Sequence, residues 1–574
     1  MLILGINSAY HETAAALLDD GRLIAFVEEE RINRRKHGKP SAVDNPDELP
    51  LGAIRECLSM AGATFDDVDL IGYSFDQKGR KANIGVDTFA TSGSWGTQEG
   101  EERFHAALMR VPDNLQKLGT KPLAPRFRWI PHHLAHAGSA FLASPFERAV
   151  VMTIDGIGEF DSLCVWSGEG TQLKPLFVLP YPHSLGFLWE KVCQFLGFSE
   201  YDACKVMGLS SYGNRNRLAA ELAQIAQLHE DGTFRLSLEH LHFRAATFDG
   251  LSEIFGPPRL PGEPILERHQ DLAAAVQAFT EEALMAMATR ARRDTRAPHL
   301  TLSGGVALNC VANSRLEREA GYERLFVQPA ANDAGTALGA ALVLWTQECG
   351  KERVFVQDHP YYGPSYTVAD CERAISERGL TADRPTRPEE AVASLVADGR
   401  VVGWFQGRME MGPRALGNRT LLADPRRHDM RDLLNRKVKH REPFRPFAPS
   451  VLAEKATDWF DMPGRTDSTD FMLFAYPARP DKRERIPAVV HVDGTSRIQT
   501  VRASSAPRYH SLISAFERRT GVPMVLNTSF NDSEPIVMSP THAINTFLKT
   551  GIDAVMLEGL LVRKPGVEPP VTEP

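Results

Sequence analysis

A chain of 574 residues is too long for one ordinary hydrophobic core, so two or more domains are expected. With 43% hydrophobic and 24% charged residues it has a globular composition, and no run is long enough to span a bilayer; the net charge of −8 argues against a general nucleic-acid binder. Seven scattered cysteines, never in CxxC spacing, speak against a disulfide framework or a thiolate zinc site and fit reduced thiols in a cytoplasm.

The first residues, "MLILGINSAY", lack a charged leader followed by a small-residue cleavage site and read as a strand. "MLILGINSAYHETAAALLDDGRLIAFVEEER" continues as strand, loop, strand, a turn at Asp20-Gly21, and strand. From Arg148, "RAVVMTIDGIGEFDSLCVWSGEGTQLKPLFVL" repeats that order, with Asp155-Gly156 closing its first strand and Gly168-Glu169-Gly170 turning into its third. Two such meanders, each followed by helical stretches, describe the duplicated α/β core of the actin, sugar-kinase and Hsp70 class, where ATP lies between the halves. Two unrelated hairpins would produce the same alternation. "LTLSGGVALNC" (300–310) adds an apolar strand, then Gly304-Gly305, then a helix, a turn that lets backbone N–H groups approach phosphate or adenosine.

"PHHLAHAGSAF" (131–141) spaces His132 and His136 four apart, just over one helical turn, so they share a face while His133 points elsewhere. Asp155 ends a strand, and Asp333 in "PAANDAGTALGAAL" precedes an apolar helix. Two imidazoles and two carboxylates make a divalent site suited to Fe, Mn or Zn. Each also has a plainer reading: a buried polar pair, a turn residue, a helix cap.

Beyond "WTQECGKERVFVQDHPYYGPSYT" the character changes, and the boundary is set at 354/355. "VVGWFQGRMEMGPRALGNRTLLADP" (401–425) is a buried strand followed by a loop with Arg408, Arg414 and Arg419; "LNRKVKHREPFRPFAPSVL" adds Lys437, Lys439, Arg441 and Arg445. Many of these lie beside Gly, Pro or aromatic residues, which favours a concave anion site over a solvated stripe. "HVDGTSRIQTV" contributes Arg497, and "PMVLNTSFNDSEP" the small donors Asn527 to Asn531, Ser529 among them. Arg426, Arg427 and Arg431 read as surface ion-pair partners.

Eleven motifs occur in one order: "GINSAYHETAAAL", "EEERINRRKHGK", "HHLAHAGSAF", "TIDGIGE", "KVMGLSSYG", "LSGGVALN", "NDAGTALGAAL", "GPRALGNRTLLADPR", "FRPFAPSVL", "HVDGTSRIQTV" and "LNTSFN". From residue 1 to about 560 the chain resembles the O-carbamoyltransferase family typified by tobramycin carbamoyltransferase, cephamycin carbamoyltransferase and nodulation protein U. The last ten residues, "PGVEPPVTEP", fall outside it and read as a flexible tail.

The resemblance implies an N-terminal actin-like (ASKHA) nucleotide-binding domain, 1–354, and a C-terminal YrdC-like α/β domain, 355–574. The second would form carbamoyl adenylate from carbamoyl phosphate and ATP with Mg2+; the first would move the carbamoyl group to a hydroxyl of a small-molecule acceptor, as in antibiotic biosynthesis. Its metal, Fe2+ with Mn2+ or Zn2+ as alternatives, would be held by His132, His136, Asp155 and Asp333. His11 matches the family histidine beside the reacting hydroxyl, and Lys36 a basic residue of that site. The expected nucleotide and carbamoyl-phosphate contacts are Gly156, Gly158, Lys205, Gly208, Ser303, Gly304, Gly305 and Asn309 in the first domain. In the second they are Arg414, Arg419, Lys439, Arg441, Arg445, Arg497, Asn527 and Ser529. Residues 75–103, loop-like in composition, are a candidate acceptor-binding segment. No nucleic acid or membrane partner is expected, a homodimer is the candidate assembly, and the acceptor itself is unreadable. The rival readings are a tRNA threonylcarbamoyladenosine-type enzyme and an Hsp70-type switch.

Overall fold

The computed structural model describes residues 1–463 and 469–569, so the last five residues of the expected tail lie outside the described residues. No helix among them is long and apolar enough to cross a membrane. The chain divides into two compact units, residues 1–30 with 37–357, and residues 31–36 with 358–574. The main division falls after Gln357, and the short segment 31–36 belongs to the second unit.

In the first unit, β1 (Leu2–Asn7), β2 (Ala14–Asp19) and β3 (Arg22–Glu28) form an antiparallel meander. Asp20 and Gly21 both take positive φ between β2 and β3, the two-residue turn that matches strand twist. β4 (Leu70–Tyr73) and β5 (Phe127–Trp129) then add in parallel, giving the order β3-β2-β1-β4-β5. The second sheet repeats this with β6 (Arg148–Ile154), β7 (Asp161–Glu169) and β8 (Gln172–Pro180) as the meander. A small hairpin, β9 (Ala226–Leu228) and β10 (Phe234–Leu236), intervenes. β11 (His299–Ser303) and β12 (Arg324–Val327) complete the order β12-β11-β6-β7-β8 in parallel. The duplicated actin-like core expected from the two meanders is therefore present.

The helix Ala334–Val343, "AGTALGAALV", is buried along its whole length, so small residues set how closely it packs. A Cβ on Gly5 of β1 would lie 1.8 Å from the Ala337 carbonyl oxygen, and one on Gly339 would lie 1.6 Å from that of Ala135. Glycine at both places lets this helix touch β1 on one side and the helix His132–Ala137 on another. That contact sets where Asp333, at the head of the helix, meets the histidines.

The second unit is α/β around one mixed sheet in the order β16-β17-β15-β18-β14-β13-β19-β20. Its strands are β13 (Val402–Phe405), β14 (Arg419–Ala423), β15 (Ala448–Leu452), β16 (Phe474–Pro477), β17 (Thr495–Val501), β18 (Met524–Ser529), β19 (Ala554–Leu557) and β20 (Leu560–Arg563). All four residues of β13 are buried, as a central strand covered on both faces requires.

Candidate active site and metal centre

His132 and His136, both fully buried, stand one turn apart on the helix His132–Ala137. Asp155 follows the last residue of β6, and Asp333 precedes the helix Ala334–Val343. One ligand atom from each of the four lies within 4.8 Å of the others. His136 Nε2 is 2.9 Å from Asp155 Oδ2 and 3.5 Å from Asp333 Oδ1; His132 Nε2 is 3.3 and 3.6 Å from the same atoms. Burial works to raise the Asp155 carboxyl, but hydrogen bonds to the two imidazoles hold it well below the carboxylate range. Asp333 is pushed well above that range, first by burial and then by the charge of Asp155. A half-buried carboxylate whose charge opposes ionisation of a buried one, beside two ring nitrogens, is a donor set that a divalent cation satisfies.

Neighbouring groups fix the ligands. Ser303 Oγ hydrogen-bonds His136 Nδ1 at 3.0 Å, which assigns the other ring nitrogen to the centre. His133 turns away, to Thr153 Oγ1 and the Asp161 carbonyl, both at 2.9 Å, and burial brings its imidazole down to about 3. Gly305 donates its N–H to Asp155 Oδ1 at 3.3 Å. Gly304 has φ +92°, and a Cβ there would come within 2.2 Å of the Ile154 carbonyl oxygen. The Gly-Gly turn thus approaches Asp155 and its strand.

His11 lies in the loop between β1 and β2. Asn7 Nδ2 donates to the carbonyls of His11 and Glu12, both at 3.1 Å, and holds that loop. The His11 ring meets Tyr201 edge-on at 5.2 Å; its Nδ1 is buried without a hydrogen-bond partner. Burial lowers its pKa, with the Glu12 charge pulling the other way. A cavity of ≈ 210 Å³ is lined by His11, Asp155, Asp333 and Gly156, with Tyr10, Trp95, Phe187, Tyr201 and Phe243 as aromatic walls and Glu190, Lys191, Glu200 and Arg244 among its charged groups.

Segment 75–103 contributes Trp95 to that cavity. It is fastened by the Arg80–Glu101 pair, 2.7 Å apart and almost fully buried, and by Arg80 Nη1 donating to the Tyr10 hydroxyl at 2.8 Å. Tyr10 in turn donates to the Gly158 carbonyl at 2.6 Å, next to His132 and His133.

Several expected contacts have other placements. Asn309 caps the helix Cys310–Glu319 and pairs with Gln277. Lys205 pairs with Asp202 at 3.1 Å, and Gly208 is buried inside the helix Ala203–Ser210. Neither lines the cavity. Lys36, expected beside His11, belongs to the second unit, where its charge acts on Lys439.

In the second unit Arg419 is corrected to a structural residue. It is fully buried, and its five N–H donors go to the carbonyls of Met538, Gln406, Asn418, Pro364 and Gly407. Its guanidinium lies 3.7 Å above the Phe405 ring, and burial brings its pKa down to about 10. Asn527 is likewise absorbed into a buried network with Thr420, Ala415, Ser450 and Gln499. Lys439 Nζ, buried, donates to Ser529 Oγ at 3.2 Å and Asn531 Oδ1 at 2.7 Å. Burial, then the charges of Arg441, Arg445 and Lys36, hold Lys439 well below the usual lysine range. Those four cations therefore share one region of this unit. Arg414 is half-buried with no hydrogen-bond partner for its Nε, and Arg497 sits on β17 opposite Ala475. Arg427 and Arg431 pair with the exposed Asp429 and Asp432, as the surface reading expected, whereas Arg426 pairs with the buried Asp424.

Sequence reasoning missed Tyr201, Glu190 and Arg244, which carry no motif. It also missed Glu12 and His37, although "HET" and "KHGK" sit inside quoted motifs. Glu12 Oε1 and His37 Nδ1 are 2.5 Å apart, and both residues have positive φ, +54° and +65°.

The chain matches the "Carbamoyltransferase N-terminus" family over residues 2–342 and the "Carbamoyltransferase C-terminus" family over residues 393–564. It is 37% identical to an uncharacterized Synechocystis protein, sll1178, covering 98% of this chain and 96% of that one. Nodulation protein NolNO of Sinorhizobium fredii is 38% identical over 98% of this chain and 80% of its own. Among solved structures, component A of the Acidaminococcus fermentans (R)-2-hydroxyglutaryl-CoA dehydratase aligns with a TM-score of 0.33 and 14% identity, over 61% of this chain and 100% of that one. With both family regions present in order, the chain belongs to the carbamoyltransferase family and is a transferase enzyme.

Proposed function

We propose that the enzyme is an ATP-dependent O-carbamoyltransferase. The second unit, YrdC-like in this reading, lets water cleave carbamoyl phosphate to carbamate and phosphate; a carbamate oxygen then attacks the α-phosphorus of ATP, giving carbamoyl adenylate and releasing pyrophosphate. The first unit passes the carbamoyl group to a hydroxyl of a small natural-product or sugar acceptor and releases AMP. The observation that carries the reading is the single cavity on which His11 converges with the two carboxylates of the His132, His136, Asp155, Asp333 cluster.

An alcohol is a poor nucleophile, so the transfer needs a base near it. His11 is lowered by burial and stays neutral near pH 7, free to accept the hydroxyl proton as the new C–O bond forms. A divalent ion, with Fe2+, Mn2+ and Zn2+ all compatible with this donor set, would stabilise negative charge on an oxyanion of the intermediate. Water competes for an acyl adenylate, so aromatic side chains lining the cavity favour transfer by displacing it. In the second unit Lys36, Lys439, Arg441 and Arg445, with Arg414 and Arg497, are the groups suited to several phosphate charges.

The test is radiolabel transfer. Carbamoyl phosphate labelled at carbon is incubated with enzyme, ATP and a fractionated extract of the source cells. Label should enter small molecules as an alkali-labile O-carbamate, only with ATP present. Label entering tRNA instead, or transfer without ATP, contradicts the proposal.

A further inference from the structure

Arg244 lines the first unit's cavity from a loop that carries none of the sequence motifs. Its guanidinium carbon lies 4.5 Å from the centre of the Phe187 ring, 5.1 Å from Tyr181 and 5.9 Å from Trp95. Its backbone is also pinned: the N–H donates to Asp87 Oδ2 at 2.9 Å, and the carbonyl accepts from the Thr91 N–H at 3.2 Å. Ring contacts and a hydrogen bond to the Tyr181 hydroxyl position the guanidinium. Nε is buried without a hydrogen-bond partner, and among the described residues no carboxylate forms an ion pair with this arginine.

None of the cavity's other charged groups, Glu200 included, forms an ion pair with it. Burial pushes the Glu190 carboxyl up to about 8, so it is mostly neutral at pH 7. Lys191 spends its ammonium on the carbonyls of His242, Ala245 and Thr247. Asp155 and Asp333 face the histidines. A guanidinium N–H kept out of water without a hydrogen-bond partner is costly, and that cost is met when an anion enters.

We propose that Arg244 is the oxyanion-binding residue of this cavity, taking either the phosphate of a bound adenylate or a carboxylate of the acceptor. The inference rests on reading the cavity as the transfer site, but it is read out by binding alone.

Trp95 is a local reporter of the site. Enzyme labelled with 5-fluorotryptophan, with the Trp95 signal assigned through Trp95→Phe, is titrated separately with AMP and with acetate. At least one oxyanion should shift that signal. Arg244→Gln should weaken the response roughly ten- to hundredfold, and Arg244→Lys, which keeps the charge but loses the planar fork, by less. Loss of the AMP response identifies the phosphate, and loss of the acetate response the carboxylate. Arg244→Lys decides the matter if the glutamine variant melts early. A Trp95 signal unmoved by both anions overturns the proposal, as do wild-type dissociation constants in folded variants. Failure of label transfer with normal anion binding would count against the carbamoyl-transfer reading and leave Arg244's role standing.

Discussion

His11 and His133 are two buried imidazoles with opposite uses. His133 hydrogen-bonds through both ring nitrogens and is a packing residue; His11 leaves Nδ1 without a partner and faces a cavity. Because burial lowers the His11 pKa below the ordinary imidazole value of 6.5, the imidazole remains neutral as pH falls through 6.5. The acid limb of carbamoyl transfer should therefore lie below pH 6.5, measurable as a pH–rate profile; a limb above 7 removes His11 as the base. His11→Asn should slow transfer by about 10²–10⁴-fold while acceptor-independent pyrophosphate release stays intact. At the metal centre, His136→Ala should abolish stoichiometric metal in elemental analysis, whereas His133→Gln should retain it. Ser303→Ala, which removes the hydrogen bond to His136 Nδ1, should cost roughly 10- to 100-fold in metal affinity.

Single helices and loops transmit these requirements to the fold. Alanine is a better helix former than glycine by about 1 kcal/mol, so propensity alone favours Gly339→Ala. The Cβ it adds would sit 1.6 Å from the Ala135 carbonyl oxygen, so the helices must part. We expect a net loss of about 1–3 kcal/mol in chemical denaturation together with lowered metal occupancy, since Asp333 heads one helix and the histidines the other. A stabilised variant with full metal would contradict that account. In the second unit His542 closes the capping box of the helix Pro540–Lys549, its Nδ1 accepting from Ser539 N–H at 3.5 Å. Burial, then the Arg34 charge, bring it from 6.5 down to about 4. Between those values the unfolded chain binds the proton and the folded one does not. Stability should fall as pH drops from 6.5 towards 4, and His542→Gln should flatten that slope in urea melts at pH 7 and pH 5.

At the scale of the whole chain, what was legible in the sequence follows from where each signal resides. The duplicated meander shows in strand alternation and an Asp-Gly turn, both local, and the histidine pair in one-turn spacing. The meeting of Asp155 with Asp333 depends on a helix packed through Gly5 and Gly339, which no local pattern reports. Arg419 and Arg414 look alike in a glycine-rich loop; only the tertiary structure shows that five carbonyls surround the first. Arg244 and Glu190 stand in stretches whose composition is ordinary, and the cavity alone marks them. Lys36 follows a helix of the first meander in sequence, yet its segment folds with residues more than 300 positions later.

In the proposed reaction the second unit makes an acyl adenylate for the first to use. Enzyme given ATP and carbamoyl phosphate, without acceptor, should release pyrophosphate and accumulate AMP as the adenylate meets water. Arg497→Ala should reduce that release roughly ten- to hundredfold, the worth of one charge-assisted contact. Nucleotide products separated by ion exchange decide it: AMP with pyrophosphate is the predicted outcome, and ADP with phosphate would contradict the adenylate route.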